Sequence, residues 1–305
     1  MSYSNNSNEK ISSHPLPEDQ EMVAKLWQDV FHDTDEFVNL FFSRVYKPEN
    51  TLVIKHNDRI IAALQMVPYD IKVNNKIIPS AYVCGVCTHP SERGKGLMNK
   101  LMHEAMNEMQ KKGFGITTLI PAEPWLFDFY KKFGYTQPIN HSVEEYVCHQ
   151  RLVKVMNTDP YTFVECTNEH FPYFDSKQRE RKCTVLHNAY DFETIIRDLK
   201  HDGGSIYVAL ENNIPTGMAF TKRVSDKSAL IKEILYDNKQ VKTALYYHAF
   251  KMYDVQHIKI RIPVHSGKKR FPSEEKIYPY GLACILNKYI RNIPVPGIYM
   301  SLMLD

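Results

Sequence analysis

The densest chemistry in the sequence lies in Val86-Cys87-Thr88-His89-Pro90-Ser91-Glu92-Arg93-Gly94-Lys95-Gly96-Leu97-Met98. A strand-like run enters a short loop holding two glycines, and the loop opens directly into a helix-forming stretch. Glycine carries no side chain to keep a ligand away from the backbone. The unpaired N–H groups and the positive end of the following helix make a seat for an anion the size of a diphosphate, and Arg93 and Lys95 add charge. A Walker A loop would need Gly-Lys-Ser/Thr and a Rossmann loop G-x-G-x-x-G, and neither is present. The two glycines taken alone would serve a tight strand-to-helix turn equally well; the surrounding residues favour the anion seat.

A second group follows at Phe129-Tyr130-Lys131-Lys132-Phe133-Gly134-Tyr135. Together these segments resemble the GNAT superfamily of N-acetyltransferases, whose R/Q-x-x-G-x-G/A loop grips the pyrophosphate of acetyl-coenzyme A and whose domain ends in Tyr-x-x-x-Gly-Phe/Tyr. Gly94, Lys95 and Gly96 match the loop, Arg93 fits its Arg-Gly-x-Gly form, and Val86-x-Thr88-x-Pro90 matches the strand end before it. Ser91 stands where the family has Gln or Arg, which removes one contact and leaves the backbone cradle. The resemblance implies acetyl-coenzyme A as co-substrate, held by Val86, Cys87, Thr88, Arg93, Gly94, Lys95, Gly96, Leu97 and Met98, with no metal. The backbone of Val86 to Thr88 would hold the pantetheine and the thioester oxygen, and Tyr130 would donate a proton to the leaving thiolate, although it is one of 19 tyrosines and could pack under a helix instead.

An acceptor amine must also lose a proton before it can attack. Glu123, in Pro121-Ala122-Glu123-Pro124-Trp125, is the first candidate for that base, with Glu144 and Glu145 behind it. By resemblance to the Eis-like acetyltransferases, the C-terminal carboxylate of Asp305 is another, planted at the end of an apolar strand over Tyr299 to Leu304. His89 reads as a surface residue. Trp125 to Tyr130 and Phe37 to Phe42 could wall an acceptor pocket but read better as core.

These groups need a scaffold. Apolar residues recur at helical spacing at Val23, Leu26, Trp27, Val30 and Phe31, and again at Phe37, Leu40, Phe41 and Val45, with Asp33 or Thr34 as N-cap. From Thr51 the period becomes two. One hairpin turns at His56 to Arg59 and a second at Asn74 to Lys76, returning through Ala81 to Thr88. A helix from about Lys95 to Lys112 ends at Gly113, and Ile116 to Ile120 reads as a buried strand.

The pattern then recurs. Tyr207 to Ala219 repeats the strand, Asn-containing turn and strand of Val53 to Leu64; Ala229 to Tyr236, a helix from about Lys239 to Tyr253, and Lys259 to Pro263 follow in the same order. A diverged tandem duplication explains this, with a boundary near 150–158 and domains over 1–153 and 154–305. The expected fold is α/β (α+β): two tandem GNAT-like domains, each a mixed, mainly antiparallel sheet flanked by helices, the second degenerate, as in Eis-like enzymes without their third domain. In the second copy the loop is Tyr236-Asp237-Asn238-Lys239-Gln240-Val241, which lacks glycine and places Asp237 where a diphosphate would sit, so it should not hold coenzyme A.

Composition bounds the rest. With 305 residues, the chain is about twice the common domain size. No apolar run approaches the ~18–20 residues of a membrane-crossing helix. Lys plus Arg number 38 and Asp plus Glu 35, and this net charge of +3 does not mark a nucleic-acid binder. Six cysteines without an apolar signal segment point to the cytoplasm, and Cys84-Gly85-Val86-Cys87, lacking a second pair, reads as buried strand. The sequence therefore points to acetyl transfer from acetyl-coenzyme A to a primary amine of a small molecule or peptide, with the second domain shaping the pocket or a homo-oligomer interface. The alternatives are a non-catalytic acyl-coenzyme A sensor or interaction module and an aminoacyl- or peptidoglycan-type transferase, though those lack a retained loop like Arg93 to Gly96.

Overall fold

The computed structural model describes residues 12–148, 158–264, 276–287 and 297–304. They form two compact units. The first takes the chain up to Tyr69, Pro79–Thr136 and the stretch from Leu282; the second takes Asp70–Ile78, the described residues of Gln137–Gly281 and the C-terminal stretch.

In the first unit, β1 (Ser12–Ser13) pairs with β2, and helices α1 (Gln20–Phe31) and α2 (Asp35–Arg44) come between them in the chain. Thr34 caps α2, its hydroxyl accepting the Phe37 N–H at 3.3 Å. The helices bury Val23, Leu26 and Trp27 together with Val38, Phe41 and Phe42. Trp27 lies 4.6 Å from Phe41, ring to ring, and donates its indole N–H to Asp33 at 2.7 Å. Strands β2 (Thr51–His56) and β3 (Arg59–Val73) form the expected hairpin. Asn57 and Asp58 both take left-handed φ, 48° and 58°, which matches the twist of the strands they join. Asn74, φ 53°, makes the next turn into β4 (Lys76–Thr88).

Helix α3 (Leu97–Lys111) begins two residues later than the spacing suggests, because Gly94 and Gly96 are left-handed and cannot join it. Its apolar stripe of Leu97, Leu101, Met102, Ala105 and Met109 packs on Leu52, Ile54, Leu64, Met66, Ala81 and Val83 of the sheet. β5 (Ile116–Leu119) runs parallel to β4, and α4 (Pro124–Lys131) follows, its Tyr130 joining the α3 cluster.

The second unit has its own version of that order. Its strands are β6 (Gln137–Val147), β7 (Thr162–Glu165), β8 (Cys183–Leu186), β9 (Ser205–Glu211), β10 (Ile214–Ser225), β11 (Ser228–Tyr236) and β12 (His257–Pro263). Two helices, α5 (Phe171–Glu180) and α6 (Ala189–His201), lead the β9–β10 hairpin, which turns on left-handed Asn212 and Asn213; α7 (Lys239–Tyr253) then connects β11 to a parallel β12. α7 covers Ile231, Ile258 and Ile260; Phe174 of α5 and Phe192 and Leu199 of α6 pack with Val208, Met218 and Phe220. β8 pairs with Asp70–Val73 of the β3 end, and β12 with β6. The last strand, β13 (Ile277–Ile285), is divided: Leu282–Ile285 lies antiparallel to β5 in the first unit. Both units thus have mixed, mainly antiparallel sheets flanked by helices.

One expectation needs correction. Tyr299 to Leu304 is not a strand. Tyr299 makes a single bridge to Thr184, and Leu302 takes φ 56°. The segment is buried all the same, because side chains satisfy its carbonyls in place of a ladder: His141 bonds Met300 O at 2.7 Å and His187 bonds Ser301 O at 2.9 Å. Cys84 to Cys87 lies in β4 as expected, and Gly85 within it meets a further constraint. At φ 56° inside β4, it lies where an added Cβ would come within 2.2 Å of the Trp27 ring and 2.0 Å of Gln65 Oε1. Gly85→Ala combines overpacking with a strained backbone and is expected to cost about 2–4 kcal/mol, read from the urea midpoint of the purified chain.

Candidate functional site

The loop region is built from three adjoining pieces of the first unit. β4 pairs with β5 only from Ser80↔Ile116 to Val83↔Leu119, yet continues to Thr88. Past Val83 the two parallel strands have separated, and the β4 backbone over Val86, Cys87 and Thr88 has no ladder partner on that side among the described residues. On its other side the chain stays tied to β3, with His89 N–H donating to Ile61 O at 2.8 Å.

The second piece is the turn. Pro90–Glu92 makes one 3-10 turn, and the His89 ring caps it, Nδ1 accepting the Ser91 N–H at 3.3 Å. His89 therefore has a structural role. Arg93 reaches back to donate its Nε–H to Thr88 O at 3.3 Å, and Lys95 pairs with Glu92 at 3.2 Å. Gly94 (φ 77°) and Gly96 (φ 74°) are left-handed, and a Cβ on either would meet nothing within 4 Å. Their glycine identity is required by backbone conformation, and the space over the loop is open.

The third piece is the start of α3. Gly96 is its N-cap and supplies no side-chain hydrogen bond; the first helical bond is Lys100 N–H to Gly96 O at 3.2 Å. The amides of Leu97, Met98 and Asn99 come before that bond and face outward at the positive end of the helix. An uncapped helix start, two open glycines and an unpaired strand end fit a diphosphate followed by an extended, amide-bearing arm.

Tyr130 packs in the cluster that holds Leu97, Leu101 and Val83, with Val86 and Met98 against its edge. It is 5 % exposed, its ring lies 5.2 Å from Phe129, and its hydroxyl has no hydrogen-bond partner among the described residues. Burial pushes its pKa well above the ordinary tyrosine range, so at neutral pH the hydroxyl is protonated and can donate. Tyr135, the other tyrosine of that motif, is fully buried and bonded to Thr117 at 2.9 Å. Gly134 takes φ 89°, and a Cβ there would meet Cys284 at 3.1 Å. Burial also pushes the Cys87 thiol up to about 12, which makes it a poor nucleophile.

The structure does not gather the base candidates equally. Glu123 is exposed at the N-cap of α4, seven residues or about two turns before Tyr130. Glu144 and Glu145 belong to the second unit, where Glu144 is held by Lys242 and the Tyr146 hydroxyl, each at 2.9 Å. Asp305 lies outside the described residues. Both aromatic runs contribute to the core, through Phe41 and Phe42 in the earlier one and Tyr130 in the later, where Leu126, Phe127 and Phe129 pack at the core's edge and Trp125 is 65 % exposed.

The second unit shows the same helix start closed. Asn238 caps α7, its Oδ1 accepting from Gln240 N–H at 2.9 Å and Val241 N–H at 3.0 Å. Asp237 is engaged by Lys177 at 2.9 Å and the Tyr173 hydroxyl at 3.2 Å. The amides that stay open at Met98 and Asn99 are spent here on an internal cap.

Comparison with known proteins agrees with this geometry. An acetyltransferase (GNAT) domain model matches residues 15–137. Residues 15–137 are a GNAT domain. No curated protein matches the chain by sequence. Among solved structures the fold is similar to that of a conserved Enterococcus faecalis V583 protein, a probable N-acyltransferase, at TM-score 0.73 and 15% identity over 91% of this chain and 73% of that one. It is similar to Eis1 from Mycobacterium abscessus at 0.67 and 12%, over 91% and 74%. Saccharomyces cerevisiae N-myristoyltransferase with bound myristoyl-CoA gives 0.55 and 12%, over 92% and 81%. These likenesses span both units, so the fold shared with Eis1 extends beyond the GNAT domain. No described helix is long and apolar enough to cross a membrane.

Replacing both loop glycines by Asp forces carboxylates and strained backbone into the open seat. The Gly94→Asp/Gly96→Asp chain is expected to lose coenzyme A binding at least a hundredfold by titration calorimetry while remaining folded by circular dichroism, since nothing lies within 4 Å of either position.

Proposed function

We propose that this chain is an acetyl-coenzyme A-dependent N-acetyltransferase that moves the acetyl group directly to a primary amine of a small molecule or peptide. The observation that supports this most is the uncapped start of α3, opening beneath left-handed Gly94 and Gly96 beside the unpaired end of β4. In this reading the pyrophosphate of the co-substrate lies on the amides from Gly94 to Met98, with Arg93 and Lys95 at the rim. The pantetheine arm takes the hydrogen bonds that β5 leaves unused on Val86 to Thr88, which sets the thioester carbonyl against backbone N–H groups able to stabilise its developing negative charge.

The neutral amine attacks the thioester carbon, the carbon–sulfur bond breaks, and the sulfur leaves as thiolate while the nitrogen sheds a proton. Tyr130 donates a hydrogen bond to the departing sulfur. Its raised pKa makes it a donor that does not ionise over the working range. Glu123, exposed and at the entrance to α4, is the proposed acceptor of the amine proton, directly or through water. A thioester on Cys87 is disfavoured, because a buried thiol with its pKa pushed up to about 12 holds its proton. The second unit, its helix start closed by Asn238, holds no coenzyme and instead shapes an acceptor pocket or an interface. The six cysteines are all buried and unbridged, in keeping with a reducing cytoplasm.

The test is thiol release from acetyl-coenzyme A over a panel of amines. Tyr130→Phe is expected to lower kcat about 10–100-fold with little change in coenzyme affinity. Because the Tyr130 pKa is raised, the wild-type rate should show no alkaline fall from this group below pH ~10. Unchanged turnover in Tyr130→Phe would remove the donor role, and coenzyme binding without turnover on any amine would favour an acyl-coenzyme A sensor.

A further inference from the structure

In the second unit a cavity of about 780 Å³ opens on the sheet where β12, β6 and β13 present their side chains. Ile258, Ile260 and Ile262 of β12 point into the α7 core, so Lys259 and Arg261, alternating with them, point to the opposite face. Their cross-strand partners are Glu145 and Val143, and Leu230 of β11 lies beside Lys259. Lys276, Tyr278 and Tyr280 complete the wall.

The charges on this wall do not cancel. Lys259, Arg261 and Lys276 form no ion pair with a carboxylate among the described residues. Glu145 is the one carboxylate on the wall without a described partner, because Glu144 is occupied by Lys242 and Tyr146. Glu145 lies across from Lys259, which leaves three cations against one unengaged carboxylate on this face, and such a surplus is costly to keep as an end in itself, since like charges held together repel. The aromatic part is ordered. Tyr280 is held between the His141 ring, stacked at 4.0 Å and 21°, and the Arg261 guanidinium, 5.6 Å from its centroid; His141 is fixed from behind by Met300 O at 2.7 Å. Tyr278, 47 % exposed, offers a free ring face at the rim.

We propose that this cavity is a binding site for a flat-ringed organic phosphate of nucleotide size. Arg261 supplies a planar fork for the phosphate, Lys259 and Lys276 supply point charges, and Tyr278 with Leu230 and Val143 supplies the surface on which the ring lies. The volume falls within the range of small-molecule sites. The site is built from second-unit residues alone and does not depend on the acetyl-transfer reading. Its chemistry would admit a free nucleotide or the nucleotide end of a larger molecule.

The experiment titrates adenosine 5′-monophosphate into the full chain carrying Gly94→Asp/Gly96→Asp, so that the α3 loop cannot contribute. The expected result is one saturable site, at least tenfold weaker for adenosine and at least tenfold weaker in Lys259→Gln/Arg261→Gln. Lys276→Gln, altered at an exposed position, should weaken binding severalfold and gives a second reading if the double variant folds poorly. The proposal is overturned if binding does not saturate by ~10 mM, if adenosine binds as well as its monophosphate, or if the variants bind like their parent. Loss of coenzyme A affinity at the loop bears only on acetyl transfer.

Discussion

A helix that starts without a cap leaves its first amides in need of an acceptor, and the first unit is arranged to keep those amides available. Gly96 ends the loop in a conformation that gives α3 no side-chain acceptor, and the preceding residues bind one another: His89 caps its own turn, Arg93 returns to Thr88, and Lys95 pairs with Glu92. None of these contacts covers the helix start. The separation of β4 from β5 extends the same condition to the strand, so that the β4 backbone past Val83 has no ladder partner on that side among the described residues. Unpaired backbone groups are expensive when buried and tolerable when a ligand or water completes them, which is why this region stays open while the α3 stripe beneath it is tightly packed.

The second unit provides an internal comparison. Its strands, hairpin turn and parallel crossover repeat the order of the first, but at the corresponding helix start Asn238 takes two amides and Asp237 is committed to Lys177 and Tyr173. One side-chain amide is enough to turn an anion seat into an ordinary capped helix, worth about 1 kcal/mol to the helix. Of the two helix starts one is left open, and the second unit keeps a buried network in which Glu233 joins Arg181, at 2.7 and 3.1 Å, to the Ser301 hydroxyl at 2.5 Å. That network, with His141 and His187, replaces a strand ladder for the chain's last residues.

Much of this was legible because local chemistry and tertiary role coincide. The period-two runs with Asn-Asp and Asn-Asn turns became hairpins, since those turns match strand twist whatever they pack against. The loop was legible because its glycines serve backbone conformation, a purely local demand. What stayed hidden depends on partners distant in sequence. The 298–304 run has strand composition, and partners distant in sequence, among them His141, His187 and Thr184, hold it as a buried non-ladder segment. Gly85 looked like part of a cysteine spacing, and its reason is a Trp27 ring from α1. α5 and α6 carry polar faces that dilute the apolar pattern; their sharpest local signal, Asn188 as a cap for α6, lies outside the recurring strand-turn-strand pattern.

The central claim is that one helix start in this chain is open to a diphosphate and its counterpart is closed. Calorimetric titration of the wild-type chain with acetyl-coenzyme A counts such seats directly. The account predicts saturation at one molecule per chain; two equivalent sites, or no saturable binding, would contradict it.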